Sequence, residues 1–330
     1  MEIQETHSNE IAELMERAVA MHLRGELDDA ATSYEGALAQ VPDNSTALNN
    51  LGFIKAQRGE WEEAMALYAR ALDADPASTT ARSNLATAQA ATGELDAAID
   101  TLRQVVEAQP EALVAWDNLA RLCLLVGAVA DAEAAWKSAL RVRPSEPRLH
   151  VALASAQAAG GQMDAAEASL HTALRLDGED ARAWQQLGVV LAARDDLGSA
   201  TKALKRSLGV APEDPKTRHH LAVVLAKRGL QDAAVLELER TVELDSSYTP
   251  ARVDLAVSKL ARGDAGAALE TFETVLATSP TESKSEYYRA LCLEVLGQND
   301  EAIGSMTRLA EGGTRYGPPA RAWLTRRASA

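Results

Sequence analysis

Alanine recurs every 34 residues along this chain, at Ala30, Ala64, Ala98, Ala132, Ala166, Ala200, Ala234, Ala268 and Ala302. No insertion or deletion interrupts the count. A period in this range is the signature of a chain built from small repeated units that each bury only one face and complete their core against a neighbour. Starting a unit at Ile11 divides the chain into nine: 11–44, 45–78, 79–112, 113–146, 147–180, 181–214, 215–248, 249–282 and 283–316. Residues 1–10 form an N-terminal extension and residues 317–330 a C-terminal segment.

Other positions of the unit specify a pair of antiparallel helices. Position 8 is always alanine or glycine, from Ala18 and Gly52 to Gly188 and Ala290, so the two helices can approach closely where it meets the alanine of position 20. Position 15 is glycine in eight units, including Gly25, Gly59, Gly93 and Gly127, where a left-handed residue closes the first helix; Asp195 is the exception. Position 32 is proline in six units, which stops the second helix before the next unit begins. Position 7 is leucine in the seven inner units but Arg17 and Arg289 in the outer two, as terminal repeats require. After Gly317, prolines start a further helix that lays Trp323 and Leu324 over the last unit with its arginines in water.

Within that frame the composition excludes several functions. The net charge of −15 argues against nucleic acid as a partner, because phosphate binding needs a basic stripe that displaces counterions. The opening MEIQETHSNE has neither a basic start nor an apolar run, and no stretch is long enough to span a membrane, so a cytoplasmic protein with no membrane insertion is expected. Arginine outnumbers lysine about threefold, which points to a GC-rich bacterium. Cys123 and Cys292 lie five repeats apart, roughly 50 Å at ~10 Å per helix layer, so both are expected to be packing residues.

The units resemble tetratricopeptide repeats: GEWEEAMALYARALDADP, Gly59 to Pro76, matches the second half of that family's unit. Trp116 and Trp184 stand where the family often has a tryptophan, and Tyr34 and Tyr68 where it has its second aromatic. The resemblance implies an all-α, right-handed superhelical solenoid of nine helix-turn-helix repeats with a C-terminal capping helix. Its first helices line a concave groove and its second helices form the outside.

Positions 2, 6, 9 and 13 fall on one stripe of the first helix, opposite the packed positions 4, 7, 8 and 11. Asn50, Asn84 and Asn118 hold position 6 of repeats 2 to 4, although asparagine is a poor helix former. Stacked in the groove, each amide can donate to a carbonyl and accept from an N–H of an extended peptide. The NNL, SNL and DNL triplets are similar to the asparagine ladder in the superhelix of O-GlcNAc transferases, and the ladder gives way to Ala152, Gln186, His220 and Asp254 further on. Arg148, Arg182 and Lys216 hold position 2 of repeats 5 to 7, where cations oppose the helix dipole; pairing with Glu146, Glu179, Asp180, Glu213 and Asp214 would explain them, as would contact with acidic side chains of a partner. Phe53 and Arg121 at position 9, with Tyr287 and Tyr288 at positions 5 and 6 of repeat 9, complete the expected peptide-binding set; the two tyrosines could equally lie beneath the C-terminal helix. The carboxylate clamp that binds chaperone tails is not reproduced, since only fragments such as Asn118 followed by Arg148 fit it.

No phosphate loop, nucleophile elbow, zinc spacing or paired carboxylates stand in a structural context, and His219 and His220 diverge on a helix, so no enzyme, cofactor or metal is expected. The expected function is a protein-binding scaffold holding an extended segment of another protein. The alternative is self-assembly, for the ends are unequal. Residues 1–35 carry Glu2, Glu5, Glu10, Glu13, Glu16, Glu26, Asp28, Asp29 and Glu35 against Arg17 and Arg24, a net of −7. After Glu311 come Arg315, Arg321, Arg326 and Arg327 with no acid, a net of +4. Head-to-tail contacts between such ends would be weak.

Overall fold

The structure, a computed structural model, describes the backbone of residues 2–329 and the side chains of residues 11–329. Glu2, Glu5 and Glu10 of the acidic end therefore have side chains outside the described residues. The described chain contains nineteen helices and no strand. It divides into two compact bodies, Met1–Leu176 and Asp177–Ala330. The first holds α1 (Glu2–Arg24), α2 (Leu27–Gln40), α3 (Ser45–Gln57), α4 (Trp61–Ala74), α5 (Thr79–Ala91), α6 (Leu95–Ala108), α7 (Leu113–Leu125), α8 (Val129–Val142), α9 (Pro147–Ala159) and α10 (Met163–Leu176). The second holds α11 (Ala181–Ala193), α12 (Leu197–Val210), α13 (Pro215–Lys227), α14 (Gln231–Leu244), α15 (Thr249–Ala261), α16 (Ala265–Thr278), α17 (Ser283–Val295), α18 (Asn299–Glu311) and α19 (Gly317–Ala328). Nine hairpins and one further helix result, all-α as the period requires.

Each hairpin closes where its small residues meet. All nine alanines of position 20 are essentially buried, and glycine at position 8 appears where the facing side chain leaves no room for a methyl group. A Cβ on Gly52 would lie 2.8 Å from Tyr68 Cε1, and one on Gly188 would lie 2.5 Å from Leu204 Cγ. The turn between helices is left-handed in every repeat: the eight glycines of position 15 have positive φ, and Asp195, at φ 65°, is the single non-glycine residue among those described to share that conformation. Asp195→Gly is expected to stabilise the chain by about 0.5–1 kcal/mol by relieving that strain, read as a higher urea midpoint.

Between hairpins, position 4 does more than fill space. The indole nitrogens of Trp116 and Trp184 donate to the carbonyls of Pro110 and Gly178 at 2.8 and 2.9 Å. His150 Nε2 meets the Pro144 carbonyl at 2.8 Å and Arg218 donates to that of Pro212 at 2.7 Å, while Arg82 reaches Pro76 in the same way. The common requirement is a long side chain with an N–H, which ties the end of one repeat to the next helix; tryptophan is one of three residues that meet it.

In the second body, α19 covers the end of the last hairpin. Trp323 is buried against Leu293, Met306 and Leu309, and its indole donates to Glu294 at 2.8 Å. The arginines of this helix do not all face water. Arg327 lies over the Trp323 ring and pairs with Glu294 at 3.2 Å, and Arg321 donates to the Ala310 carbonyl at 2.6 Å. Cys123 and Cys292 are both buried and free, as their placement on packed faces requires.

Candidate peptide-binding face

The first helices of neighbouring repeats touch within each body, α3 with α5, α11 with α13 and α15 with α17. Along them the residues of positions 2, 9 and 13 are the most open: Thr46, Phe53 and Gln57 on α3, Thr80, Thr87 and Ala91 on α5, and Val114, Arg121 and Leu125 on α7 are all exposed. Position 6 is half-buried at their edge. The stripe expected from the spacing is therefore the open side of these helices.

In the first body, Asn50 and Asn84 are joined to each other through a third amide. Asn50 Nδ2 donates to the Tyr34 hydroxyl at 3.1 Å, Asn49 Nδ2 donates to Asn50 Oδ1 at 3.1 Å, and Asn84 Nδ2 donates to Asn49 Oδ1 at 2.9 Å. The first and last of these bonds cross to another helix, while Asn49 and Asn50 are neighbours on α3; one hydrogen of each amide is engaged, out of the two that each carries. Asn118 is half-buried and Arg121 exposed, and neither has a hydrogen-bond or ion-pair partner among the described residues. Phe53 stands 38% exposed, with its ring 5.5 Å from that of His22.

The basic row divides into two kinds. Arg148 pairs with Glu146 at 3.0 Å and with Asp117 of the preceding repeat at 3.6 Å. Arg182 and Lys216, in the second body, are exposed cations without a carboxylate partner among the described residues. Their neighbouring acids are turned elsewhere: Asp180 accepts from the Ala183 amide at 2.9 Å, Glu179 meets Arg206 at 3.6 Å, and Asp214 accepts from the Lys216 and Thr217 amides and from Gln185. Asp180 and Asp214 thus cap α11 and α13, and a capping carboxylate offsets the dipole that the cation opposes.

Gln186 and His220 are half-buried on α11 and α13. Burial holds the His220 imidazole below the ordinary histidine range, and the neighbouring His219 adds to that, so it is neutral at pH 7. Tyr287 packs on Tyr316 with ring centroids 5.3 Å apart, and Tyr288 stacks on Phe272 at 6.1 Å. Both remain half-buried. No group of histidine, cysteine and acidic side chains among the described residues is arranged to hold a metal ion, and no described helix is long and apolar enough to cross a membrane.

The model of the cilia and flagella-associated protein 70 C-terminal domain matches residues 2–220, well over half of the chain, and the tetratricopeptide repeat model matches residues 253–318. The chain belongs to the tetratricopeptide repeat family. Among solved structures, the C-terminal part of a tetratricopeptide repeat-containing protein from Cytophaga hutchinsonii is 14% identical, with a TM-score of 0.61 over 72% of this chain and 97% of that one. One chain of the APC/C hetero-tetramer Cut9-Hcn1 gives 18% identity and a TM-score of 0.58 over 85% of this chain and 55% of that one. IFIT1, solved as a monomeric mutant with Gppp-AAAA, gives 15% and 0.58 over 96% and 81%. At these identities the likeness is one of fold. No curated protein sequence matches the chain.

One polar cluster of this tetratricopeptide repeat protein lies outside the expected set. His219 Nε2 meets Asp254 Oδ2 at 2.9 Å, and Lys284 donates to the other oxygen of the same carboxylate. Burial alone would push the Asp254 carboxyl up, but the hydrogen bonds from His219 and Lys284 outweigh it and hold the group below the usual range. The three residues occupy positions 5, 6 and 2 of successive repeats. Comparing those positions across neighbours, rather than along one stripe, is the reading that finds them.

Proposed function

We propose that this tetratricopeptide repeat protein is a non-catalytic scaffold that holds an extended, acidic segment of another protein along the open face of its first helices. The observation that carries the reading is the charge of that face. At positions 2, 6, 9 and 13 the first body has Arg121 and Arg148 against Glu16, and the second has Arg182, Lys216, Lys227 and Lys284 against Asp254, in a chain whose net charge is −15. On each body of an acidic protein, such an excess of cations steers one class of ligand to that body's open face. The amides of Asn50, Asn84 and Asn118 add donors and acceptors that suit a peptide backbone.

Fluorescence anisotropy with two labelled twelve-residue peptides, one alternating glutamate with serine and one alternating glutamine with serine, tests it. The glutamate peptide is expected to bind more tightly at low salt, with an advantage that shrinks toward physiological salt. Equal binding of the two peptides, or none by either, removes the reading.

Self-association is a second reading, favoured by the unequal ends of the chain. Arg315 lies over the Tyr316 ring, and Arg321 and Arg327 are held within the last repeat and its cap, which leaves less of the basic end for a neighbour than the sequence offers. Sedimentation of the chain alone at low and high salt separates the two, since head-to-tail growth fed by charge is lost as salt rises.

A further inference from the structure

The first repeats of the chain contain a filled version of a site that stands open two repeats later. Between α1 and α3, Tyr34 rises from α2, fully buried, until its hydroxyl accepts the hydrogen bond from Asn50, and the half-buried His22 ring meets both the Tyr34 ring, edge-on, and the exposed Phe53 ring. Advancing each position by two repeats replaces Tyr34 with Leu102, His22 with Ala90 and Phe53 with Arg121, while Asn50 becomes Asn118. Two rings are thereby deleted and a third becomes a cation. The result is an opening of about 190 Å³ between α5 and α7, floored by Ala86, Leu102 and Leu122 and rimmed by Thr87, Asn118 and Arg121. Asn118 lacks the hydroxyl that Asn50 has. Arg121 lacks its natural partner one turn back, because Asp117 accepts from Trp136 at 2.9 Å and faces Arg148 at 3.6 Å.

We propose that this opening is a subsite for a tyrosine side chain of the bound segment. The ring occupies the volume that the Tyr34 ring fills two repeats earlier, resting on Leu102 with the Arg121 guanidinium over its face. Such a cation within about 6 Å of an aromatic centroid is attracted by its negative face. The phenolic oxygen accepts from Asn118, as Tyr34 does from Asn50. Phenylalanine fits the floor but leaves the amide unmatched, and an acidic side chain reaches the rim without filling the floor. The subsite rests on the proposed face reading and adds the identity of one anchor residue to it.

The test uses the full-length, isotopically labelled chain, with p-cresol and toluene as probes of the tyrosine and phenylalanine side chains and sodium acetate as the carboxylate control. In wild type, p-cresol is expected to shift the Asn118 side-chain amide and Arg121 Nε resonances and to bind about five- to tenfold more tightly than toluene, the worth of one hydrogen bond. Asn118→Ala, at a half-buried position on α7, is expected to erase that preference without unfolding the chain. Leu102→Tyr places the ring from within and is expected to abolish binding of both aromatics. If Leu102→Tyr fails to fold, the Asn118→Ala comparison decides alone. Unmoved Asn118 and Arg121 resonances with p-cresol, an equal response to acetate, or an undiminished p-cresol preference in Asn118→Ala each overturn the subsite. Because the glutamate peptide contains no tyrosine, a chain that binds that peptide but not p-cresol loses the subsite and keeps the face.

Discussion

Gly188→Leu is expected to disrupt the α11–α12 hairpin, whereas Gly209→Leu, the same substitution on the second helix of the same hairpin, is expected to leave it intact or slightly stabilise it. The difference lies in what each new side chain meets. A Cβ at Gly188 overlaps Leu204, itself fully buried, and the remaining methyl groups have nowhere to go without moving the two helices apart. Overpacking on that scale costs about 3 kcal/mol or more, since even added methylenes in a filled core cost ~1–3 kcal/mol. Gly209 has nothing within 4 Å of its Cβ position and lies exposed, so leucine there gains up to ~0.8 kcal/mol of helix propensity. Chemical unfolding followed by circular dichroism reads the difference, with hydrogen exchange in α11 and α12 to localise it. Adjacent repeats stabilise one another, so the loss at Gly188 is expected to spread first to α13, which packs on α12, and not to all hairpins of the second body at once. Equal effects of the two substitutions would mean that close helix approach is not what position 8 provides.

Reversing Arg182 and Lys216 together to glutamate is expected to slow association with the glutamate peptide by about tenfold or more at low salt and to change little at high salt. Neither cation has a carboxylate partner among the described residues, so their reversal leaves the fold unaltered and acts on encounter alone. Arg148→Glu is the instructive contrast. It removes a cation that already neutralises Glu146 and Asp117 and places a third acid beside them, so its loss of binding is accompanied by a loss of stability that the Arg182 and Lys216 pair does not show. Stopped-flow association rates over a salt series, with a melting curve for each variant, resolve the two behaviours. A salt-independent rate in wild type would leave the basic row as surface charge only.

How much of this was legible in the sequence depends on whether the repeat multiplies the signal. The helices, their left-handed turns and the alanine seam recur nine times, so even the departure at Asp195 is informative against eight glycines. The open face follows from spacing on one helix and could be read equally well. Side-chain partners were not legible, because they join different helices and depend on which rotamer each residue takes. That Asn50 meets Tyr34, that Asp117 serves Trp136 and Arg148, and that His219, Asp254 and Lys284 share one carboxylate are contacts between residues 16 to 35 positions apart. Tryptophan at position 4 resembles a family marker, but His150 and Arg218 make the same bond, so the role belongs to a long side chain with an N–H, which no single residue type marks in the sequence.

Site-specific photo-cross-linking tests the central claim most directly. A photoreactive residue placed at Thr80 or Lys216, on the open face of the first helices, is compared with one at Leu236 or Ile303, exposed on second helices. With the glutamate peptide as ligand, cross-links are expected from Thr80 and Lys216 and not from Leu236 or Ile303, and an excess of unlabelled peptide is expected to remove them. Cross-links that form from Leu236 or Ile303 while Thr80 and Lys216 stay silent would contradict the assignment and move the binding surface to the second helices.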